Sequence, residues 1–150
     1  MSEFLETTYD KFVFKAKVGC LYTRDDFWAQ VEGGVATVGV ADFLQKVKGD
    51  VAFIETVEPG LMVKQGDELG KVETIKATFS IISPVTGKII EVNPEMDASP
   101  HFINQEPYGS GWIYKIELTD LEKDRKALLD AQAYFELMKE KINEEMNKKG

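Results

Sequence analysis

The fold is decided by the stretch Val72-Glu73-Thr74-Ile75-Lys76-Ala77-Thr78-Phe79-Ser80-Ile81-Ile82-Ser83-Pro84-Val85-Thr86-Gly87. Two arms rich in β-branched and apolar residues, Leu69–Ile75 and Thr78–Ile82, flank the single lysine Lys76. These residue types suit a pleated, half-buried surface, so both arms are predicted to be strands. The sequence therefore predicts a β-hairpin with Lys76 at or near its tip, although the Asn-Gly or Asp-Gly signal of a two-residue turn is absent.

The residues after this hairpin predict a further strand. Pro84 cannot donate a hydrogen bond to a sheet, and Gly87 can adopt positive φ. They end the second arm before a new strand over Lys88–Val92.

A lysine at a hairpin tip is a solvated primary amine on a flexible stem. Because the reference pKa of lysine is about 10.4, such an amine is almost always protonated at neutral pH and is a poor unaided nucleophile. Nothing near Lys76 in the sequence predicts the desolvation or second cation that would activate it. It is suited to modification by an enzyme that supplies an activated acyl group. A plain solubilising lysine is the alternative that spacing alone leaves open.

Length and composition are those of one globular domain. The chain has 150 residues, of which 43% are hydrophobic and 29% charged. No apolar run reaches the roughly 18 residues of a membrane helix, and the acidic start lacks the basic region of a signal peptide. The sequence therefore predicts a cytoplasmic protein that does not interact with membranes.

Charge and side-chain chemistry exclude several classes of function. The net charge of −8 argues against a protein that binds nucleic acid. It is typical either of a carrier that docks on basic surfaces or of a surface that merely keeps the protein soluble. One cysteine, Cys20, permits no internal disulfide, and one histidine, His101, leaves neither a Cys/His zinc site nor a Ser-His-Asp triad. Cys20 is predicted to be an inert, partly buried side chain. We predict a protein that is not an enzyme and holds no metal.

The remaining elements are short. We predict a turn at Gly33-Gly34, a helix over Asp42–Gly49 with Asp42 as N-cap and Gly49 as its stop, and an irregular segment over Asn93–Asn104. Further strands are predicted at residues 28–31, 35–41, 50–55 and 113–118. The fold class is therefore mainly β, a flattened barrel or sandwich of short antiparallel strands with a short internal helix and a C-terminal helical segment.

The two ends of the chain have their own patterns. Near the start, alternation in Phe12, Phe14 and Ala16 indicates a short edge strand. Near the end, an apolar stripe at helical spacing is formed by Phe135, Met138, Ile142 and Met146. We expect residues 1–20 to be an N-terminal extension, 21–118 the β domain, and 119–150 a helical segment that packs on it or extends from it.

Several motifs resemble the H proteins of the glycine cleavage system. Glu73-Thr74-Ile75-Lys76-Ala77 and Ser83-Pro84-Val85-Thr86-Gly87 are similar to that family's Glu-Ser-Val-Lys-Ala and Ser-Pro-Val-Ser-Gly. Pro107-Tyr108-Gly109-Ser110-Gly111-Trp112 is similar to its Pro-Tyr-Gly-x-Gly-Trp. Three further segments complete the resemblance over residues 21–138: the opening hairpin from Leu21, the segment Val38–Asp42 and the closing helix. In the opening hairpin, Asp26 occupies the position where the family usually has a histidine.

The resemblance implies a cofactor, a fold and partners. It implies a lipoyl/biotinyl-type barrel-sandwich hybrid, with lipoate bound covalently to Lys76 and with Glu73 and Ala77 recognised as parts of the attachment motif. Lipoate is favoured over biotin because a biotinyl lysine lies between methionines, whereas Lys76 lies between Ile75 and Ala77. The implied partners are a lipoate ligase or a lipoyl or octanoyl transferase, the decarboxylating P protein, the aminomethyl-transferring T protein, and the dihydrolipoyl dehydrogenase L protein.

The residues after the lysine depart from the family pattern. The family continues in polar and acidic residues, whereas this chain has Thr78-Phe79-Ser80. An exposed Phe79 and a missing acidic residue at Ser80 would change the docking surface. This departure leaves open an H-like protein that carries sulfur in a heterodisulfide-reductase-like complex, a lipoyl relay protein, or an unmodified interaction protein of the same fold.

Overall fold

The computed structural model describes residues 3–149 and is built mainly of short strands. The strands are β1 (Phe4–Tyr9), β2 (Phe12–Lys17), β3 (Leu21–Tyr22), β4 (Phe27–Glu32), β5 (Val35–Val40), β6 (Val51–Thr56), β7 (Met62–Val63), β8 (Glu68–Thr74), β9 (Thr78–Ile82), β10 (Gly87–Val92) and β11 (Tyr114–Leu118). The helices are α1 (Asp42–Lys48), α2 (Glu95–Ala98), α3 (Phe102–Gln105), α4 (Leu121–Asp124), a 3-10 turn (Arg125–Ala127) and α5 (Ala131–Lys149).

The strands form three antiparallel sheets. The large sheet has six strands in the order β3-β4-β5-β11-β10-β7, and the lysine sheet has three in the order β6-β8-β9. The terminal hairpin, β1 and β2, pairs Phe4 with Lys17 and Tyr9 with Phe12. The sheets do not close into a barrel. The mainly β sandwich, the short internal helix and the C-terminal helix are thus confirmed.

The large sheet and the lysine sheet enclose the main hydrophobic core. Alternate residues of their strands point inward, as expected of strands with one buried face. Val38 and Ile116 come from the large sheet and Val72 and Ile81 from the lysine sheet, and all four are almost fully buried. The core therefore holds the lysine sheet rigidly against the rest of the domain.

Gly70 allows β6 and β8 to approach each other closely. Its φ is +107°, and a Cβ at this position would lie 2.0 Å from the backbone oxygen of Glu55. Only glycine is free of both the steric clash and the backbone strain. The pairing of β6 with β8 thus depends on this glycine.

A second hydrophobic cluster joins the two ends of the chain. Phe14 and Ala16 of the terminal hairpin are buried with Tyr134, Met138 and Ile142 of α5. The stripe predicted for the last helix is therefore its packing face. The edge strand predicted around Phe12, Phe14 and Ala16 is present, and its partner β1 was not anticipated.

Asp26 anchors α5 to the loop between β3 and β4. Its carboxylate accepts hydrogen bonds from the Tyr134 hydroxyl at 2.7 Å and from Lys141 Nζ at 2.8 Å. Tyr134 also stacks on Tyr22, with ring centroids 4.2 Å apart. Asp26 is 4% exposed, and its burial raises the pKa of the carboxyl, although Lys141 and Tyr134 act in the opposite direction. Asp26, which replaces a histidine of the resembled motif, thus forms a buried contact to α5.

Two sequence predictions about helical segments are wrong. Asp42 is not the N-cap of α1, since Ala41 occupies that position and no side chain caps the helix. The Asp42 carboxylate instead binds Lys46 within the helix and the backbone N–H of Lys15 in the terminal hairpin. The segment Asn93–Asn104 is not irregular, because it contains α2 and most of α3. Such single-turn helices are too short to give a periodic pattern.

Gly49 ends α1 as predicted. Its φ is +94°, and its backbone N–H donates to the oxygen of Gln45. No helix among residues 3–149 is long and apolar enough to cross a membrane.

Candidate functional site

Lys76 lies in the tight turn between β8 and β9. The turn is closed by the backbone N–H of Thr74, which donates to the Ala77 oxygen at 2.8 Å. The backbone N–H of Ile75 donates to the oxygen of Asp50, which precedes β6. The predicted hairpin is therefore confirmed, with its first strand ending at Thr74 rather than Ile75.

The Thr74 side chain organises this turn. Its hydroxyl oxygen accepts the backbone N–H groups of Lys76 at 3.3 Å and Ala77 at 3.0 Å. The hydroxyl lies 2.7 Å from the Lys48 carbonyl oxygen, to which it can donate. The side chain is buried, so these bonds are shielded from water. Thr74 thus fixes the turn to the end of α1.

The Lys76 side chain extends over Gly49 into solvent. A Cβ at Gly49 would lie 3.3 Å from Lys76 Cε and 3.5 Å from Lys76 Cγ. The bare glycine therefore leaves room for the aliphatic stem of the lysine. Lys76 is exposed, and its ammonium makes no hydrogen bond or ion pair with any residue between 3 and 149. The ammonium group is thus accessible to a modifying enzyme.

Asn104 holds residues 49–51, the segment to which the turn is bonded through Ile75 and Asp50. Its side-chain oxygen accepts the backbone N–H of Val51 at 2.8 Å, and its amide donates to Gln45 at 3.0 Å and to the Gly49 oxygen at 3.1 Å. One side chain therefore connects α3, α1 and the start of β6. Sequence reasoning missed Asn104, since these contacts span 53 to 59 residues and leave no local signal. The role of Thr74 could have been predicted from the sequence. It occupies the serine position of the attachment motif, and the hydroxyl groups of serine and threonine commonly bond to the backbone of local turns.

The other predicted site residues flank the lysine. Glu73 lies on the exposed outer face of β8, opposite Phe53 of β6 and Thr78 of β9. Its carboxylate has no hydrogen-bond or ion-pair partner within residues 3–149. Ala77 is half-buried in the turn and contributes the carbonyl that closes it. The structure thus brings Glu73, Lys76 and Ala77 to one end of the lysine sheet.

The prediction of an exposed Phe79 beside the lysine is wrong. Phe79 lies opposite Val72, and because directly paired residues share a face, its ring packs partly buried against the main core. Ser80 donates a hydrogen bond to Glu68 Oε1 at 2.7 Å. Glu68 therefore supplies a carboxylate beside the position where the family has an acidic residue.

Replacement of Thr74 by valine should loosen the turn. Valine keeps the shape but leaves two backbone N–H groups and the Lys48 oxygen without their partner. An unsatisfied buried group costs about 1–3 kcal/mol, so we expect the free energy of unfolding to fall by roughly that amount. Denaturant unfolding would measure it. The matched control is Thr78→Val, an exposed site on β9, which should change stability by less than about 0.5 kcal/mol. Equal effects of the two substitutions would contradict the role given to Thr74.

The other reactive residues lie apart from this turn. Cys20 is buried, and its burial raises the pKa of the thiol to about 11, so the side chain is not an accessible nucleophile. His101 is exposed and precedes α3. In the described part of the chain, no three His, Cys, Asp or Glu side chains are grouped to hold a metal ion.

Comparisons with known proteins agree on one family. The family described as glycine cleavage H-protein matches residues 20–141. A probable glycine cleavage system H protein of Pyrococcus abyssi is 46% identical over 127 residues, which cover 84% of this chain and 94% of that protein. A protein of the same description from Thermococcus kodakarensis is 43% identical over 127 residues, which again cover 84% of this chain and 94% of that protein.

A solved structure is also similar. The crystal structure of a glycine cleavage system H protein from Mycobacterium marinum has a TM-score of 0.68 and 32% sequence identity, covering 77% of this chain and 93% of that one. The terminal hairpin precedes residue 20, where the family match begins. The match spans the large sheet, the lysine sheet and the first part of α5, and the chain belongs to the glycine cleavage H-protein family.

Proposed function

We propose that this protein is a lipoyl carrier of the glycine cleavage system, with lipoate attached to Lys76. The observation that carries the proposal is the free, exposed amine of Lys76 on a turn held rigidly by Thr74, in a chain of the H-protein family. Glu73 and Ala77 are the parts of the attachment motif that the modifying enzyme recognises. The chain is a carrier subunit, and the reactions occur on its partner enzymes.

Attachment forms one amide bond. A lipoate ligase or a lipoyl or octanoyl transferase presents the activated carboxyl carbon, and the neutral amine of Lys76 attacks it. The leaving group departs with its bonding electrons, and the ammonium proton passes to a base of the enzyme or to water. The residues of the turn suit this step, because nothing in the described structure covers the amine and Gly49 leaves space along its stem.

The chain's role after attachment is display. When bound, lipoate supplies the disulfide chemistry through which the P, T and L proteins exchange an aminomethyl group and reducing equivalents. Thr74 fixes the base of the arm and Asn104 fixes the adjoining residues 49–51, so only the flexible arm has to reach each active site. Tethering gives the arm a high effective concentration at every docked partner. The net charge of −8 favours rapid, reversible docking on basic surfaces.

The test uses protein whose intact mass confirms one lipoyl group. This protein is mixed with P protein, glycine and pyridoxal phosphate, and carbon dioxide release is followed. We expect robust release that requires the lipoyl group, with unmodified chain as the control. No release, while the same P protein works with a standard H protein, would contradict the proposal and favour a sulfur carrier or lipoyl relay.

A further inference from the structure

The outer face of the lysine sheet exposes two large apolar side chains beside the Lys76 turn. Phe53 of β6 is 55% exposed, and Ile75 is 75% exposed. Phe53 is paired with Glu73, which is paired in turn with Thr78, so these residues form a row across the sheet on one face. It is the last row of the outer face before the turn, because the next pair, Val51 and Thr74, is buried. Phe53 therefore lies beside Glu73 on the neighbouring strand, and Ile75 follows Glu73 by two residues, at the end of the sheet that displays the lysine.

The fold requires position 53 to face outward but does not require a phenylalanine there. The same sheet places its other phenylalanine, Phe79, against the main core. A solvent-facing aromatic ring gains stability only when another surface covers it, and such rings often contribute much of the affinity of an interface. Phe53 thus has the character of a docking anchor.

The charges around this anchor are mostly negative. Strands β6, β8 and β9 contain three glutamates and one lysine, namely Glu55, Glu68, Glu73 and Lys71. Glu55 follows Phe53 on the same face, where it is paired with Lys71. A complementary partner needs an apolar pocket with a basic rim.

The free ammonium of Lys76 indicates which partner this is. No described residue orients the Lys76 amine, so the enzyme that acylates it must align the amine with the acyl carbon. A fixed contact a short distance from the lysine provides that alignment. This enzyme must also recognise the hairpin before any cofactor is present, from side chains alone.

We propose that Phe53 and Ile75, flanked by Glu73, form the surface on which the lipoyl-attaching enzyme docks, through an apolar pocket rimmed by basic residues. This inference rests on the proposed function, because it assumes that Lys76 is lipoylated. It adds to the attachment motif a residue, Phe53, that lies on a different strand and more than twenty residues before the lysine.

The test compares initial rates of lipoylation of unmodified full-length protein by a lipoate ligase with lipoate and ATP. The variants are Phe53→Thr and Ile75→Thr, which place a polar β-branched residue, suited to an exposed strand position, at each site. Loss of an interface anchor should lower kcat/KM by about tenfold or more, chiefly through KM. The controls are Leu61→Thr and Met62→Thr, which remove apolar side chains that are 46% and 60% exposed near and within β7 of the large sheet. These controls should react at the wild-type rate, and all four variants should melt near the wild-type temperature.

A salt series tests the basic rim. Raising the ionic strength should slow lipoylation of the wild-type protein, and Glu73→Gln should reduce this salt dependence. Wild-type rates for Phe53→Thr and Ile75→Thr would overturn the docking surface and leave the carrier function standing. Equal losses in the β7 controls would overturn it too, since the effect would then not be local. Failure of the wild-type protein to accept lipoate would instead contradict the proposed function itself.

Discussion

Lys76→Arg is expected to abolish lipoyl attachment and all carrier activity without changing the melting temperature. Arginine keeps the positive charge and a long stem, but its guanidinium stays protonated and does not form the amide. Because Lys76 is exposed, the change in stability should remain within about 0.5 kcal/mol. Intact mass after incubation with ligase, lipoate and ATP measures attachment, and glycine-dependent carbon dioxide release measures carrier activity.

The matched control for this substitution is Lys71→Arg. Lys71 is an exposed lysine on β8, in the same hairpin as Lys76. This variant should be lipoylated at the wild-type level. A lipoyl adduct on the Lys76→Arg protein would show that another lysine is the acceptor. A large drop in its melting temperature would show that the Lys76 side chain is part of the structure of the turn.

Asp26→Ala should cause the largest loss of stability among the substitutions considered. It removes the acceptor of the buried Tyr134 hydroxyl, which is left unpaired, and it takes the carboxylate partner from the Lys141 ammonium, which keeps its bond to the Arg24 oxygen. It also places alanine at φ 73°, a conformation that aspartate tolerates better. Breaking one side of a buried ion pair typically costs on the order of 3–5 kcal/mol, and because the Lys141 side chain is 26% exposed we expect a loss toward the lower end of that range. Thermal and denaturant unfolding would measure this loss, and the control Asp25→Ala changes an exposed neighbour and should be nearly neutral.

The charge of Asp26 can be separated from its hydrogen bonds by Asp26→Asn. Burial raises the pKa of Asp26 above its ordinary 3.8, so the folded protein holds this proton more tightly than the unfolded chain. As the pH falls from the raised pKa toward 3.8, the wild-type protein should therefore gain stability relative to Asp26→Asn. Below 3.8 the difference should level off. If the wild-type protein instead lost stability relative to Asp26→Asn on acidification, the attraction of Lys141 would outweigh the burial and lower the pKa of Asp26.

The sequence was most informative where local chemistry decides the structure. Alternating β-branched residues and the breakers after them predicted the hairpin of Lys76, and Gly49 predicted the end of α1. The apolar stripe around Met138 and Ile142 predicted the packing face of α5. In each case the property that folds the segment lies within the segment itself.

The rest depends on pairings between distant segments. The inward direction of Phe79 follows from its place opposite Val72, which the strand's own sequence does not specify. The contacts of Asn104 join three elements, and β1 is defined by its pairing with β2. Asp42 does not act as the predicted cap, because its carboxylate binds Lys46 and the backbone N–H of Lys15 in the terminal hairpin.

The cluster that joins the two ends of the chain affects the order in which the nascent protein matures. All strands of the lysine sheet lie within residues 51–82, whereas Phe14 and Ala16 are covered by α5, which starts at residue 131. Phe14 also packs on Phe43 of α1, but the part of the hairpin that α5 covers stays uncovered during synthesis until α5 has left the ribosome. Such transiently exposed surface is where a growing chain is open to aggregation and to chaperones. Emergence of α5 is thus the step that completes this protein's second core.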